Sequence, residues 1–339
     1  MKKIKMSDIA AKANVSRSAV SLALNGKPGV SDETRKKIFD IIDQEGYKPL
    51  RKRKKGGVRK IASVNLIIVS DKNGVVSQNY RSLPFFDKLV SSLTQNVSGF
   101  GGHVQIDTLS IDNLASDLKT LLEHTKITNA VVLGTDLSRN DIIAINKRIK
   151  NVVFVDTYYD DIDADFVTMD NFRGAYTAGK YIISKGYKKI GYVASNKLIP
   201  NFYQRRKGFV QALAENGLEL EKKYMYSLNP IQLMPSSDLP EFNTKDLPEA
   251  LFCEDDYMAL RLLKEFLKQG LSIPEDIAIM GFDDIYEDVM VIPELTTIHV
   301  PIQQIVNQVI FQLQSQAEDS EWEAQKCLVS THLVERNSI

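Results

Sequence analysis

The chain has 339 residues, of which 43% are hydrophobic and 25% charged. That is the composition of a globular domain protein and excludes a disordered chain, a collagen and a small disulfide scaffold. At roughly 150 residues per domain the length predicts two or three domains. The net charge of +0 conceals an asymmetry: residues 1–60 hold 17 Lys and Arg against 6 Asp and Glu, while the remaining 279 hold 26 against 37. A basic head of +11 on an acidic body of −11 points to a polyanion-binding module joined to something else. No apolar run approaches the ~20 residues that cross a bilayer. The start, Met1-Lys2-Lys3-Ile4-Lys5-Met6-Ser7-Asp8, reaches an acid before any apolar stretch, so no signal peptide is expected. The expected location is cytoplasmic. Cys253 and Cys327 lie 74 positions apart with no His or Cys beside them, which implies neither a disulfide framework nor a zinc site.

In the head, Met6, Ile9, Ala10 and Ala13 recur on one helical face. Asn14 suits the turn that follows, since Asn tolerates a left-handed backbone. Ser16 predicts the N-cap of a second helix, with Val20 and Leu24 inward and Arg17, Ser18, Ser21 and Leu22 outward. Ser31 predicts the cap of a third, whose first turn carries Asp32 and Glu33. Ile38, Ile41 and Ile42 form its buried stripe. Two short helices about a tight turn, then a third, is helix-turn-helix arithmetic, and the second helix then enters the major groove N-terminus first. Arg17, Ser18 and Leu22 are therefore the expected base readers: Arg can donate twice to guanine, and an apolar side chain can meet a thymine methyl.

The run Met6-Ser7-Asp8-Ile9-Ala10-Ala11-Lys12-Ala13-Asn14-Val15-Ser16-Arg17-Ser18-Ala19-Val20-Ser21-Leu22-Ala23-Leu24-Asn25-Gly26 resembles the head of the lactose-repressor (LacI/GalR) family of bacterial transcription factors. So does Val30–Ile38, and the stretch ending Gly46-Tyr47-Lys48-Pro49. Ala19 replaces the family's usual Thr. The resemblance implies phosphate contacts from Ser16, Ser21, Asn25, Ser31 and Thr34; helix N-termini and small hydroxyls suit that task. In the linker, Arg51, Lys52, Arg53, Lys54 and Lys55 precede Gly56-Gly57. The family folds a hinge helix here and wedges a Leu into the minor groove. Gly56 occupies that Leu position, and paired glycines oppose a helix by about 1 kcal/mol each. The expectation is electrostatic phosphate binding by the five basic residues, with little leucine kink.

From residue 61 apolar runs alternate with helical patterns. Strands are predicted at Val64–Val69, His103–Ile106, Ala130–Leu133, Val152–Val155, Ile190–Val193, Tyr224–Tyr226, Ala250–Phe252 and Ile277–Met280. Helices are predicted around Phe85–Val97, Leu114–Leu122, Asp141–Ile149, Gly174–Ser184, Gln204–Glu215 and Met258–Lys268. β-Branched runs between helices argue for buried parallel strands in two doubly wound α/β lobes, with ligand at the strand C-termini. Catalytic templates fail. There is no Walker loop and no Gly-x-Ser-x-Gly, and His103, His124, His299 and His332 lack metal spacing. No cofactor is expected.

The body resembles the same family, whose effector domain is built like periplasmic sugar-binding proteins. The matching segments include Val167–Asn171, Gly186–Val193, Arg205–Phe209, Asp255–Ala259, Met280–Asp284 and Leu295–Ile298. The resemblance implies effector contacts from Arg205, Asp283, Phe86 and Asp255, the last standing where the family usually has Asn. Asp removes two donors and adds charge, which favours a donor-rich or cationic ligand. The loop Ser70–Ser82 is longer than usual, Pro230, Pro235 and Pro240 oppose a helix the family often has, and Val306 replaces a Gly.

The expected organisation is a helix-turn-helix domain at 1–49, a basic linker at 50–60 and an effector-binding and dimerisation domain at 61–339. Lobe 1 is expected over 61–160 and 296–318, and lobe 2 over 161–295 and 319–339. The expected protein is a homodimeric repressor that binds a pseudo-palindromic operator in double-stranded DNA. A small ligand, a sugar or derivative, controls it from the interlobe cleft. A sugar sensor without a DNA role and an α/β enzyme are the alternatives.

Overall fold

The computed structural model describes residues 6–24, 29–45, 47, 61–231, 239–240, 242–243 and 245–339. Contacts divide the chain into two units, Met1–Arg59 and Lys60–Ile339.

The first unit holds three helices: α1 (Met6–Ala13), α2 (Arg17–Leu24) and α3 (Asp32–Glu45). Ile9, Ala10, Ala13, Val20, Ala23, Leu24, Ile38 and Ile42 form its core. Asn14 takes the left-handed turn at φ 55° that separates α1 from α2. Ser16 Oγ accepts from the Ala19 amide at 3.1 Å, and Ser31 Oγ from the Thr34 amide at 3.3 Å, so both serines cap as the sequence indicated. The Arg35 guanidinium donates to the Ala23 carbonyl at 3.1 Å and ties α3 to the end of α2.

The second unit is α/β with two parallel sheets. Its strands are β1 (Ser63–Ser70), β2 (His103–Ser110), β3 (Ala130–Leu133), β4 (Val152–Val155), β5 (Asp165–Met169), β6 (Ile190–Ser195), β7 (Met225–Leu228), β8 (Ala250–Cys253), β9 (Ala278–Met280), β10 (Thr297–His299), β11 (Lys326–Val329) and β12 (His332–Val334). Its helices are α4 (Pro84–Gly99), α5 (Leu114–His124), α6 (Arg139–Asn146), α7 (Asn171–Ser184), α8 (Pro200–Ala214), α9 (Asp256–Lys268) and α10 (Ile302–Glu318).

A six-stranded sheet runs β11-β5-β4-β3-β1-β2, and a four-stranded sheet runs β7-β6-β8-β9. Both faces of each are covered, which is why the strands read as continuous apolar runs. Along β1, Val64, Leu66 and Ile68 pack with α4 and α10, while Ile67 and Val69 pack with α5 and α6. In the second sheet Tyr192 and Phe252 face α7 and α8, and Val193, Leu251 and Cys253 face α9.

The sheet order corrects the expected lobe boundaries. β5 and β11 belong to the first lobe's sheet, so Asp165–Met169 and Lys326–Val329 leave the second lobe to which the sequence reading gave them. The strand β5, Asp-Phe-Val-Thr-Met, mixes polar and apolar residues, so its parallel pairing with β4 was not visible in the chain order. The chain passes between lobes at three places: Met169 to Asn171, His299 to Ile302, and Val329 to His332. β10 and β12 pair antiparallel beside two of these crossings. Between β7 and β8 no helix forms among the described residues, in keeping with Pro230 and Pro240; Pro235 lies outside them.

Candidate functional site

Parallel strands converge their C-terminal ends on the cleft between lobes, and the loops there carry the polar groups. Thr135 and Asp156 follow β3 and β4 of one lobe; Glu254, Asp255 and Asp283 follow β8 and β9 of the other. A small cavity between the lobes, about 40 Å³ in this closed form, is lined by Thr135, Asp156, Asn201, Arg205, Asp255 and Asp283, with Phe85, Phe86, Phe202 and Tyr257 as its aromatic walls. Its mixture of polar and aromatic side chains suits a hydroxylated ligand.

Arg205 sits at the centre and is 4% exposed. Its Nε donates to Asn171 Oδ1 at 2.8 Å, one Nη to the Glu254 carbonyl, and the other to Asp283 Oδ1 at 3.1 Å. The guanidinium lies 3.7 Å from the centroid of the Phe282 ring. Glu254, behind it, accepts from Tyr192 Oη at 2.8 Å and from Arg206 Nη2 at 2.8 Å, so the frame beneath Arg205 is itself paired. Asp255 caps α9 by accepting from the Met258 amide at 2.7 Å, and it lines the cavity as well.

Asp156 accepts from Thr135 Oγ1 at 2.6 Å and from Asn201 Nδ2 at 2.9 Å. Because Asn201 belongs to α8, that bond joins the two lobes. Two more bonds span the cleft: the Phe85 amide donates to Tyr257 Oη at 3.0 Å, and Lys197 Nζ donates to the Asn73 carbonyl. The lobes are closed on each other. The long Ser70–Ser82 loop is held at the mouth by Asp136, which accepts from the Val75 and Val76 amides at 2.8 and 2.6 Å.

Burial pushes the carboxyls up: Asp156 to about 6, against its bonds to Thr135 and the charge of Arg205; Asp283 to about 8, against Arg205. Burial also drives Asp255 well above the usual carboxylate range, against the Met258 amide. Asp156 and Asp283 adopt φ of 59° and 132°, conformations rare outside glycine and concentrated at functional sites.

All four effector positions expected from the sequence, Phe86, Arg205, Asp255 and Asp283, line this one cavity. Thr135, Asp156 and Asn201 were missed, although the rule that ligands sit beyond strand C-termini pointed at the residues after β3 and β4. The lining contains no histidine, serine or cysteine among the described residues.

In the head, Arg17 and Ser18 are exposed on the first turn of α2, and Leu22 and Ser21 are half-buried one turn on. The Leu22 side chain reaches Gly29, where a Cβ would come within 3.3 Å of its Cδ1. Ser16 and Ser31 stand at the N-termini of α2 and α3, and Thr34 Oγ1 lies 2.8 Å from Ser31 Oγ. Helix N-termini with small hydroxyls are anion sites in waiting. Asn25 and Arg51, Lys52, Arg53, Lys54 and Lys55 lie outside the described residues.

A three-helix DNA-binding head and a two-lobed ligand-binding body define a ligand-controlled DNA-binding regulator. Residues 5–49 match the model described as bacterial regulatory proteins, lacI family, and residues 180–339 match the periplasmic binding protein-like domain. The chain is 29% identical to the HTH-type transcriptional repressor CytR of Escherichia coli (strain K12), over 98% of this chain and 95% of that protein. It is 27% identical to the probable HTH-type transcriptional repressor ExuR of Bacillus subtilis (strain 168), over 99% and 98%. Among solved structures, the transcriptional regulator CelR–cellobiose complex superposes with a TM-score of 0.68 at 20% identity, covering 99% of both chains. The lac repressor dimer bound to operator and the anti-inducer ONPF gives 0.68 at 19%, with the same coverage. The chain belongs to the lacI family of bacterial transcriptional regulators.

Proposed function

We propose that the protein is a homodimeric transcriptional repressor, not an enzyme, whose hold on a pseudo-palindromic operator is set by a sugar or sugar derivative in the interlobe cleft. The observation that carries the ligand half is the convergence of Arg205, Asp156, Asp255 and Asp283 on one cavity between the closed lobes. Arg donates to ring and hydroxyl oxygens, carboxylates accept from hydroxyls, and aromatic walls cover the apolar face of a sugar ring. A ligand that fits only the closed lobes shifts their equilibrium by its differential affinity, and that shift is what the DNA-binding heads feel.

In the head, Arg17, Ser18 and Leu22 read bases, and Ser16, Ser21, Ser31 and Thr34 hold phosphates, with Asn25 and the basic run Arg51–Lys55 adding to the backbone grip. Dimerisation sets the spacing of two heads on DNA. An apolar surface supports it: Tyr286, Met290 and Ile292 are 74%, 68% and 89% exposed, with Val289 and Leu267 beside them. Among the described residues no helix is long and apolar enough to cross a membrane; the proposed location is cytoplasmic.

The test is fluorescence anisotropy of the full chain on duplexes it selects from a random pool, at several salt concentrations. Tight binding to a two-fold symmetric site, steep salt dependence and relaxed base choice in Arg17→Ala are expected. Equal weak binding to every duplex would overturn the reading.

A further inference from the structure

We propose that the cleft ligand carries a protonated amine beside its hydroxyls, and that Asp255 and Asp283 hold this ammonium group. The inference rests on the reading of the cleft as an effector site and narrows its ligand class.

Three carboxylates line the cavity and one cation faces them. Asp156 is fully engaged, one oxygen by Thr135 and the other by Asn201. Asp255 and Asp283 are not. Asp255 Oδ1 is used in capping α9, and Asp283 Oδ1 takes Arg205; the Oδ2 atom of each has no hydrogen-bond partner among the described residues. Yet the two residues are only 3% and 8% exposed. The contrast with Glu254 is direct: that buried carboxylate, just outside the cavity, is matched by Tyr192, the Ser195 amide and Arg206. These two Oδ2 atoms keep access to the cavity, so two acceptors without a donor there mark the place where a ligand brings donors.

The charge decides which donors. Arg205 has already spent its fork on Asn171, the Glu254 carbonyl and Asp283, and its one positive charge faces three cavity carboxyls. A neutral polyol satisfies hydrogen bonds but leaves Asp255 and Asp283 to hold their protons. A phosphorylated or carboxylated sugar adds to it. An ammonium supplies three N–H donors and the missing charge together, and the ring faces of Phe86, Phe202 and Tyr257 suit a cation. The charged groups around Asp255 are Arg205, Glu254, Asp256 and Asp283. Burial raises Asp255 and Asp283, so the empty cleft holds protons that an arriving ammonium displaces.

Calorimetric titration of the full chain with D-glucosamine, D-galactosamine and D-mannosamine tests this, each set against its parent hexose and its N-acetyl form. At least one amine is expected to bind tenfold or more tightly than both counterparts at pH 7.5. Asp255→Asn keeps the helix cap, since Asn caps as well as Asp, and is expected to abolish the preference without lowering the melting temperature of the ligand-free protein. A neutral hexose, uronate or sugar phosphate that binds as tightly as the amines, and loses binding in Asp283→Ala, overturns the ammonium assignment and leaves the effector site standing. An amine preference that survives Asp255→Asn overturns the role of Asp255. Failure of every sugar, charged or neutral, overturns this assignment and the sugar reading together.

Discussion

Replacing Arg205 with Met probes the centre of the cleft while nearly conserving side-chain volume. The wild-type guanidinium is 4% exposed, bonded to Asn171, Asp283 and the Glu254 carbonyl, and stacked 3.7 Å from Phe282. Removing one partner of a buried ion pair costs about 3–5 kcal/mol, because the other charge is stranded. In a body of this size each kcal/mol moves the melting temperature by about 2–4 °C, so a fall of about 6–20 °C is expected at pH 8.5. The loss shrinks at pH 5.5. There Asp283, whose carboxyl burial pushes up to about 8, carries a proton and needs no counter-charge, so only hydrogen bonds are lost. Calorimetric scans of wild type and variant at both pH values measure the difference. A loss below about 1 kcal/mol, or one independent of pH, would show that Arg205 does not neutralise this cluster.

Other consequences follow from the same geometry. Ligand-free stability is expected to fall as the pH rises from about 4 to 8. Asp156 (about 6) and Asp283 (about 8) keep protons in the folded state that the unfolded chain has released, so folding binds protons across that window. Urea midpoints at pH 5.5 and 8.0 measure the slope, and Asp156→Asn with Asp283→Asn should flatten it. In Gly208→Ala the new Cβ would stand 2.0 Å from the Phe172 carbonyl, forcing α7 and α8 apart; a loss of about 1–3 kcal/mol is expected in urea titration. Tyr257→Phe deletes the acceptor of the Phe85 amide across the cleft. At about 1 kcal/mol for the bond, ligand affinity should weaken about fivefold, read by titration calorimetry with any sugar that binds the wild type.

The head was almost wholly legible in the sequence because its structure is local. Capping serines, a left-handed Asn14 and i, i+3, i+4 apolar spacing each act within one or two helical turns. The central strands were legible for a similar reason: Val64–Val69 and Val152–Val155 are buried on both faces, and Asn65 is the one polar residue within these two runs. The lobe boundaries were not. Which sheet β11 joins depends on pairing across more than 150 residues of chain, and nothing in Lys326–Val329 marks Phe166 as its partner. In the cleft, Arg205, Asp255 and Asp283 came from resemblance. Asp156 escaped because its importance arises from a positive φ and a bond to Asn201 in the other lobe, and neither has a local signature.

The decisive measurement couples the two ends of the chain. Affinity of the full protein for its selected duplex is measured with and without a saturating cleft ligand, in wild type and in Asp283→Ala. The account predicts a change of at least fivefold on adding ligand to the wild type, and no change in the variant, whose DNA affinity without ligand stays that of the wild type. A ligand that binds the cleft yet leaves DNA affinity unaltered in the wild type would contradict it.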